Sequence, residues 1–313
     1  MKRSLWRLGR WVFLALGLGL LVYVITDLGV DRVASVVLSV GWLFGVIVLL
    51  EATWVGLDTV ALRAIYGRAK TQAPLRVWIH SAMVAYPIMV LLPVGRGGGE
   101  IARGSILYRW TGVNAVARSV RLQTVVLGAN AVISIPCAIA VGSIVGFTHP
   151  LPLLILGNAA ATASIGLALF LIVRGTRLGQ WLQARLEVHG AEDDDGSTTL
   201  SQMGTALAIT SFGRLLETFK NGIVLFAVGG AFTVTAAFVS EGIHLVGAGL
   251  GDFVPNAVGI TEGAYRLFAE VLDFHDAPER AVALALVARC AQYVVAAVVL
   301  VLQPLAAVPA PER

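Results

Sequence analysis

Pro93-Val94-Gly95-Arg96-Gly97-Gly98-Gly99-Glu100-Ile101-Ala102-Arg103 follows Trp78–Leu92, an apolar run interrupted by His80 and Pro87. Proline lacks an N–H and clashes with the preceding turn, so Pro93 stops the helix it follows. The glycines permit positive φ and close backbone approach, and a short polar helix is expected over Glu100–Trp110. Whether this stretch emerges on the far side of a membrane or returns to the side it left decides the topology. The same pattern occurs later. Val234–Val254 carries Glu241, His244 and Asp252 and ends at Pro255-Asn256-Ala257-Val258-Gly259-Ile260-Thr261-Glu262, before a helical stretch Thr261–Asp273.

The surrounding chain supplies the membrane. Of 313 residues, 57% are hydrophobic and only 13% charged, about half the charge a soluble domain needs to cover its surface. Mean hydropathy is +0.82. Runs of about 20 apolar residues span a hydrocarbon core, and a lipid-exposed backbone must satisfy its own hydrogen bonds, so these runs are helices. Full spans are expected at Trp11–Thr26, Val40–Leu62, Leu122–Phe147, Leu151–Val173, Thr205–Gly229 and Arg280–Leu302. Strands alternating at period 2, the mark of a barrel, are absent from the sequence. The basic N-terminus before Trp11–Ile25 lacks a small-residue cleavage site, so the first span is read as uncleaved.

Charge placement threads these pieces. Lys2–Arg10, Arg63–Arg76, Arg96–Arg121 and Arg174–Arg185 are rich in Lys and Arg, which favours the cytoplasmic side. With eight full spans, Arg96–Arg121 lands outside. With Trp78–Trp110 dipping in and returning, all four stretches stay cytoplasmic, and Val234–Asp273 dips in from the opposite face. The expected fold is therefore an all-α polytopic bundle of six full spans plus two opposed re-entrant hairpins, in an inner (plasma) membrane with both termini cytoplasmic; eight full spans is the alternative. Arg174–Ser201, with acidic Glu192–Asp195, reads as a solvated connector. The formal net charge of +4 is too small and scattered for nucleic acid.

An internal repeat fits this threading. Leu49-Leu50-Glu51 recurs as Leu215-Leu216-Glu217, each with a glycine five residues after the acid (Gly56, Gly222). Pro93 precedes Glu100 by seven residues, and Pro255 precedes Glu262 by seven. The copies run over about 36–147 and 201–303, joined by 148–200. Inverted repeats with broken helices at matching positions point to a binding site near the midplane.

Three constellations carry candidate chemistry. At the first break, a helix starting near Gly99 would aim free N–H groups into the turn and attract an anion, while Arg96 and Arg103 add fork-shaped donors that suit phosphate. Glu100 could pair with Arg103 or take a proton or cationic group. The bland alternative is a capped amphipathic helix with its arginines on lipid headgroups. The second break repeats the breaker, turn and helix-start acid at Pro255 and Glu262, with Tyr265 and Arg266 following; a turn capped by Thr261 is its bland version. The third set comprises ionisable residues within spans: Glu51, Asp58, Arg214, Glu217, Lys220 and Arg289. Each charge at bilayer depth costs roughly 2.5–3.5 kcal/mol on insertion scales, so they should face inward and pair. Arg214 and Glu217 are i,i+3 neighbours, and Glu51 and Arg289 are candidates to meet across the bundle. Asp58, Lys220 and Arg63 read as snorkelling at helix ends. Cys137 and Cys290 read as small core residues, and the five histidines lack metal-ligand spacing, with His80 and His244 read as packing.

Through Leu92, Pro93, Gly99, Glu100 and Arg103, through Arg121 opening the next span, and through Pro255, Gly259, Glu262 and Arg289, the chain resembles the flippase-like membrane proteins related to the membrane region of lysylphosphatidylglycerol synthases. Hopanoid- and glycolipid-associated proteins are relatives in that family. The resemblance implies binding and translocating an anionic, modified or polyprenyl-linked lipid between leaflets, with a lipid-biosynthetic enzyme as a partner. The chain departs from the family in two ways. It stops at Arg313 just after the last span, so aminoacylation is not expected, and Gly97–Gly99 are richer in glycine than the family's pattern. The expected site unites Arg96, Gly97, Gly98, Gly99, Glu100, Arg103 and Arg121 with Glu51, Arg214, Glu217, Pro255, Glu262 and Arg289, without cofactor or metal. An integral-membrane enzyme acting on a lipid-linked substrate and a scaffold subunit of an envelope-lipid or glycan assembly complex are the alternatives. No nucleophile–base set appears, and the one acidic cluster lies in a polar loop.

Overall fold

The computed structural model describes residues 19, 22–23, 26–27, 29–92, 95–113, 115–173, 199–251, 254 and 257–306, with the side chains of residues 96, 115–117, 173 and 306 outside that set. Among the described residues the chain is all-helical, 87% helix in ten α-helices with no strand. These are α1 (Val30–Ser39), α2 (Leu43–Ile65), α3 (Leu75–Leu91), α4 (Gly95–Thr111), α5 (Ala115–Val145), α6 (Pro150–Val173), α7 (Leu200–Ala227), α8 (Val234–Leu250), α9 (Ile260–Leu267) and α10 (Pro278–Ala306). Most of the expected first span, the acidic loop, Pro93, Asp252 and Pro255 fall outside the described residues.

Four helices are long and apolar enough to cross a membrane by length and composition: Leu43–Ile65, Arg118–Val145, Pro150–Ile172 and Pro278–Leu305. Large apolar side chains on their outer faces, among them Ile135, Ile139, Leu153, Leu167 and Val301, are exposed, as lipid-facing positions are. The expected span Thr205–Gly229 is not among the four. Its helix, α7, has 28 residues, about 42 Å at 1.5 Å per residue, but Arg214, Glu217 and Lys220 lower its hydropathy. It also starts five residues early, because Thr199 accepts from the Gln202 backbone at 3.3 Å while the Gln202 side chain accepts from the Thr199 N–H at 2.9 Å. This capping box satisfies two otherwise orphaned donors. The interrupted segments form α3 and α8, each of 17 residues, about 26 Å and so short of a hydrocarbon core.

The element order repeats. A long helix, a 17-residue helix, a polar helix and a closing long helix run through α2–α5 and again through α7–α10. Packing is reciprocal between the two sets: α3 lies on α10, α8 lies on α5, and α2 and α7 pack together at the centre. The recurring triplet occupies matching environments. Leu49 and Leu215 are exposed, Leu50 and Leu216 half-buried, and Glu51 and Glu217 buried. One apolar core joins residues such as Ile47, Cys137, Ile155, Leu225, Ile243 and Leu284. A second, around Ile65, Tyr66, Trp78, Leu107 and Leu122, lies under the first hairpin.

Within each hairpin the arms touch closely. A Cβ on Gly99 of α4 would fall 2.3 Å from Met89 Cγ and 2.8 Å from the Ala85 carbonyl oxygen of α3. A Cβ on Gly247 of α8 would fall 2.9 Å from Thr261 Cα of α9. Helices in lipid gain their attraction from such close packing.

Candidate functional site

Charged side chains of α7 recur at i,i+3 on its buried face, and α2 brings one acid to meet them. Lys220 Nζ donates to Glu51 Oε2 at 2.5 Å and stands 3.9 Å from Glu217 Oε1. Arg214 Nη1 donates to Glu217 Oε2 at 2.5 Å. Tyr86 of α3 donates its hydroxyl to Glu51 Oε1 at 2.8 Å, and His244 Nε2 of α8 lies 4.0 Å from Glu217 Oε1. Two acids and two bases thus alternate as a chain through the joint of the repeated helix sets. Removing charges from water is expensive unless they are paired and hydrogen-bonded, and this alternation supplies both. On the same face, Asn221 Nδ2 donates to Glu241 Oε2 of α8 at 2.6 Å.

Two sequence expectations are corrected here. Glu51 does not meet Arg289; Lys220 takes that place, because α7 packs along α2 while Arg289 faces α9. Lys220 does not snorkel: it is 3% exposed.

The first break builds a second ion-pair group. Arg103 Nη1 donates to Asp58 Oδ2 of α2 at 2.7 Å, and its Nη2 donates to Glu100. Ser119 of α5 donates to Glu100 Oε2 at 3.1 Å. Arg103 is 2% exposed, so its guanidinium is occupied by two carboxylates, and Asp58 is a partner rather than a snorkelling end. Arg121 is buried. Arg118 donates to the Ile65 carbonyl at 3.0 Å and stacks over the Tyr66 ring at 5.8 Å. Burial pushes the Tyr66 phenol up to about 12 against the opposing pull of Arg103 and Arg118, so that ring is neutral. The helix begins at Gly95 rather than near Gly99. Gly95 alone of this run has positive φ, +54°; Gly97, Gly98 and Gly99 are helical, and Gly99 serves close packing. The Arg96 side chain lies outside the described set.

At the second break Gly259, with φ +79°, caps α9, and its N–H donates to Glu262 Oε2 at 2.8 Å. The other oxygen of Glu262 accepts from Arg289 Nε of α10 at 2.8 Å, and Arg289 Nη2 reaches the Ala257 carbonyl at 3.5 Å. Glu262 is 0% exposed. On the outer side of the same helix, Arg266 pairs with Asp27.

The structure therefore distributes the expected site over three groups: Glu51 with Arg214 and Glu217; Glu100 with Arg103; and Glu262 with Arg289. Tyr86, Asn221 and Glu241 were not in the expected set. The signal for Asn221 and Glu241 lay in spacing, since Glu217, Lys220 and Asn221 share one helical face and Glu241 and His244 share another; Tyr86 carried no such signal.

One cleft opens between α2, α5 and α7. It is narrow, with about 10 Å³ of free volume, room for no more than about one water, and is bounded by Trp54, Leu57 and Asp58, by Val126, and by Thr210, Gly213 and Arg214. Among the described residues no three His, Cys, Asp or Glu side chains are grouped to hold a metal ion. No protein-family model matches the chain, no curated protein matches it, and no solved structure matches its fold.

Proposed function

We propose that this chain is a multi-pass membrane protein that binds phosphate-bearing lipid headgroups in its polar interior and moves them between leaflets. The observation that carries this reading is the buried chain Glu51–Lys220–Glu217–Arg214, lying inside a bundle whose outer faces are apolar. A headgroup crossing bare hydrocarbon meets the full cost of burying its charge. A polar seam between helices lowers that cost while the acyl chains stay in lipid.

Two short helices at matching places in the repeated sets fit the broken-helix pattern of transporters. The proposed topology is six full spans with α3–α4 entering from the cytoplasmic face and α8–α9 from the opposite face, as inverted copies. The reading also agrees with the resemblance to flippase-like proteins carried by Glu100, Arg103, Glu262 and Arg289, and it leaves a lipid-biosynthetic enzyme as the natural supplier or consumer of the cargo.

The test is transbilayer movement of a fluorescent phospholipid in proteoliposomes, read by chemical quenching of the outer leaflet. The double variant Glu51→Gln/Lys220→Met removes both members of a buried pair together, which leaves no orphan charge. It should keep the unfolding midpoint in micelles while lowering the rate at least tenfold toward the protein-free rate. Unchanged movement in that variant overturns the reading. For the topology, single cysteines replacing Ser105 and Ala277 should react with an impermeant reagent from opposite faces; labelling of both from the outer face returns the eight-span arrangement.

A further inference from the structure

Resting on that lipid reading, we propose that Glu241 carries an exchangeable proton, reached through His244, and that this proton enters the polar interior together with an anionic headgroup. Among the described residues the buried glutamates are Glu51, Glu217, Glu241 and Glu262. Three of them hold a cation: Glu51 holds Lys220, Glu217 holds Arg214 and Glu262 holds Arg289. Glu241 is 0% exposed, and no cation among the described residues pairs with it. Its Oε2 accepts from Asn221 Nδ2 at 2.6 Å, while its Oε1 is buried without a hydrogen-bond partner. An unpaired buried carboxylate costs far more than a neutral group that lacks one hydrogen bond. The resting form is therefore the neutral acid, with the proton on Oε1. A proton needs no cavity.

Charged and titratable groups face Glu241 from several elements. From α7, Glu217, Arg214 and Lys220 act on it, and with Glu51 they already form a closed set of two acids and two bases. From α5 comes the Cys137 thiol, and from α9 the Tyr265 phenol, which donates to the Ser240 carbonyl. The α6 side is apolar, with Ile155 against Gly242, and the short helical turn Ala269–Leu272 keeps its acid, Glu270, exposed. His244, one turn along α8 from Glu241, is the way out. Its side chain is 24% exposed and its Nε2 lies 4.0 Å from Glu217 Oε1, and Lys220, Arg214 and, from α10, Arg289 also bear on it. On release the proton passes from Glu241 Oε1 to the neutral imidazole, leaving a carboxylate and an imidazolium one turn apart. The imidazolium then gives its proton to water, and uptake runs the same steps backwards. A phosphate-bearing headgroup brings negative charge to an interior whose ion pairs already cancel. An ionised Glu241 would add a second uncompensated negative charge, so headgroup and proton enter at lowest cost together.

The experiment has two readouts on the full chain. In micelles at neutral pH, the infrared spectrum should contain the C=O stretch of a protonated carboxylic acid that Glu241→Gln, the isostere of that acid, removes. A difference spectrum without that band overturns the site. In deuterated buffer the band should shift at least tenfold more slowly in His244→Gln than in the native chain; equal rates overturn His244 as the route. The second readout is inward movement of fluorescent phosphatidylglycerol from the outer leaflet of proteoliposomes. With acid outside and neutral buffer inside, the initial rate should exceed that with acid on both sides at least threefold, and Glu241→Gln should lose this response. Equal rates in the native chain, or a gradient response that Glu241→Gln retains, overturn the coupling. The two claims fail separately. Movement that ignores the gradient fails only the proton proposal, whereas no movement under any condition fails the translocator reading and leaves the infrared band to decide whether Glu241 holds a proton.

Discussion

Glu100 and Glu262 each follow a proline by seven residues, and each lies in the second arm of a hairpin whose first arm is a 17-residue helix. In the first hairpin the second arm is already helical at Gly95, so Glu100 sits inside the helix and finds a cation one turn on, at Arg103. In the second the helix waits until Ile260. Glu262 therefore falls at the third helical position, spends one oxygen on the Gly259 N–H and takes its cation from Arg289, 27 residues away. One spacing has thus produced a local group in which Arg103 serves both Glu100 and Asp58, with the Glu100 side chain 15% exposed, and a long-range pair in which a fully buried Glu262 ties α9 to α10. A motif's spacing specifies which residue types recur, but the place where the helix starts decides what each one does.

This contrast can be broken most directly at the two acids. Glu262→Ala removes both the cap on the Gly259 N–H and the carboxylate that Arg289 donates to, so it should cost about 3 kcal/mol. Glu100→Ala leaves Arg103 on Asp58 and should cost less, about 1–2 kcal/mol, the scale of one charge-assisted hydrogen bond. Unfolding midpoints in micelles give both numbers, and equal losses would erase the distinction drawn here. The glycines of the first break sharpen it next. Gly99→Ala would drive a methyl into Met89 and the Ala85 carbonyl and should cost about 1–3 kcal/mol. Gly97→Ala has open space around its Cβ and should gain about 0.5–1 kcal/mol from helix propensity. If both substitutions destabilise alike, the run is not helical. The smallest effects lie where the hairpins agree. Gly95→Ala and Gly259→Ala each place a side chain at positive φ, at +54° and +79°, and each should lose about 1 kcal/mol. A much larger loss at one of them would show that the breaks are not built alike.

Much of the architecture was legible from hydropathy. The ends of α2, α6 and α10 fall within three or four residues of the apolar runs, because a helix in lipid must bury a fixed length. The recurring Leu-Leu-Glu was legible too, and its two acids are both buried. Partner choice was not. Glu51 meets Lys220 rather than Arg289, and Asp58 meets Arg103, because side chains reach only what the packing of α2, α4 and α7 sets beside them. The early start of α7 was hidden in a polar stretch, where the signal was Thr199 three residues before Gln202 rather than any apolar period.

Composition and apolar run length alone determined that this chain is helical and suited to a membrane, since burying a backbone in hydrocarbon leaves few other solutions. The repeated order of one long, one short, one polar and one long helix was likewise written in the chain. Only the tertiary structure decided which charges neutralise which. Charges 169 residues apart, as Glu51 and Lys220 are, have no local signature. Their pairing exists because a low-dielectric interior penalises each one alone, and the fold brings together the sets that cancel.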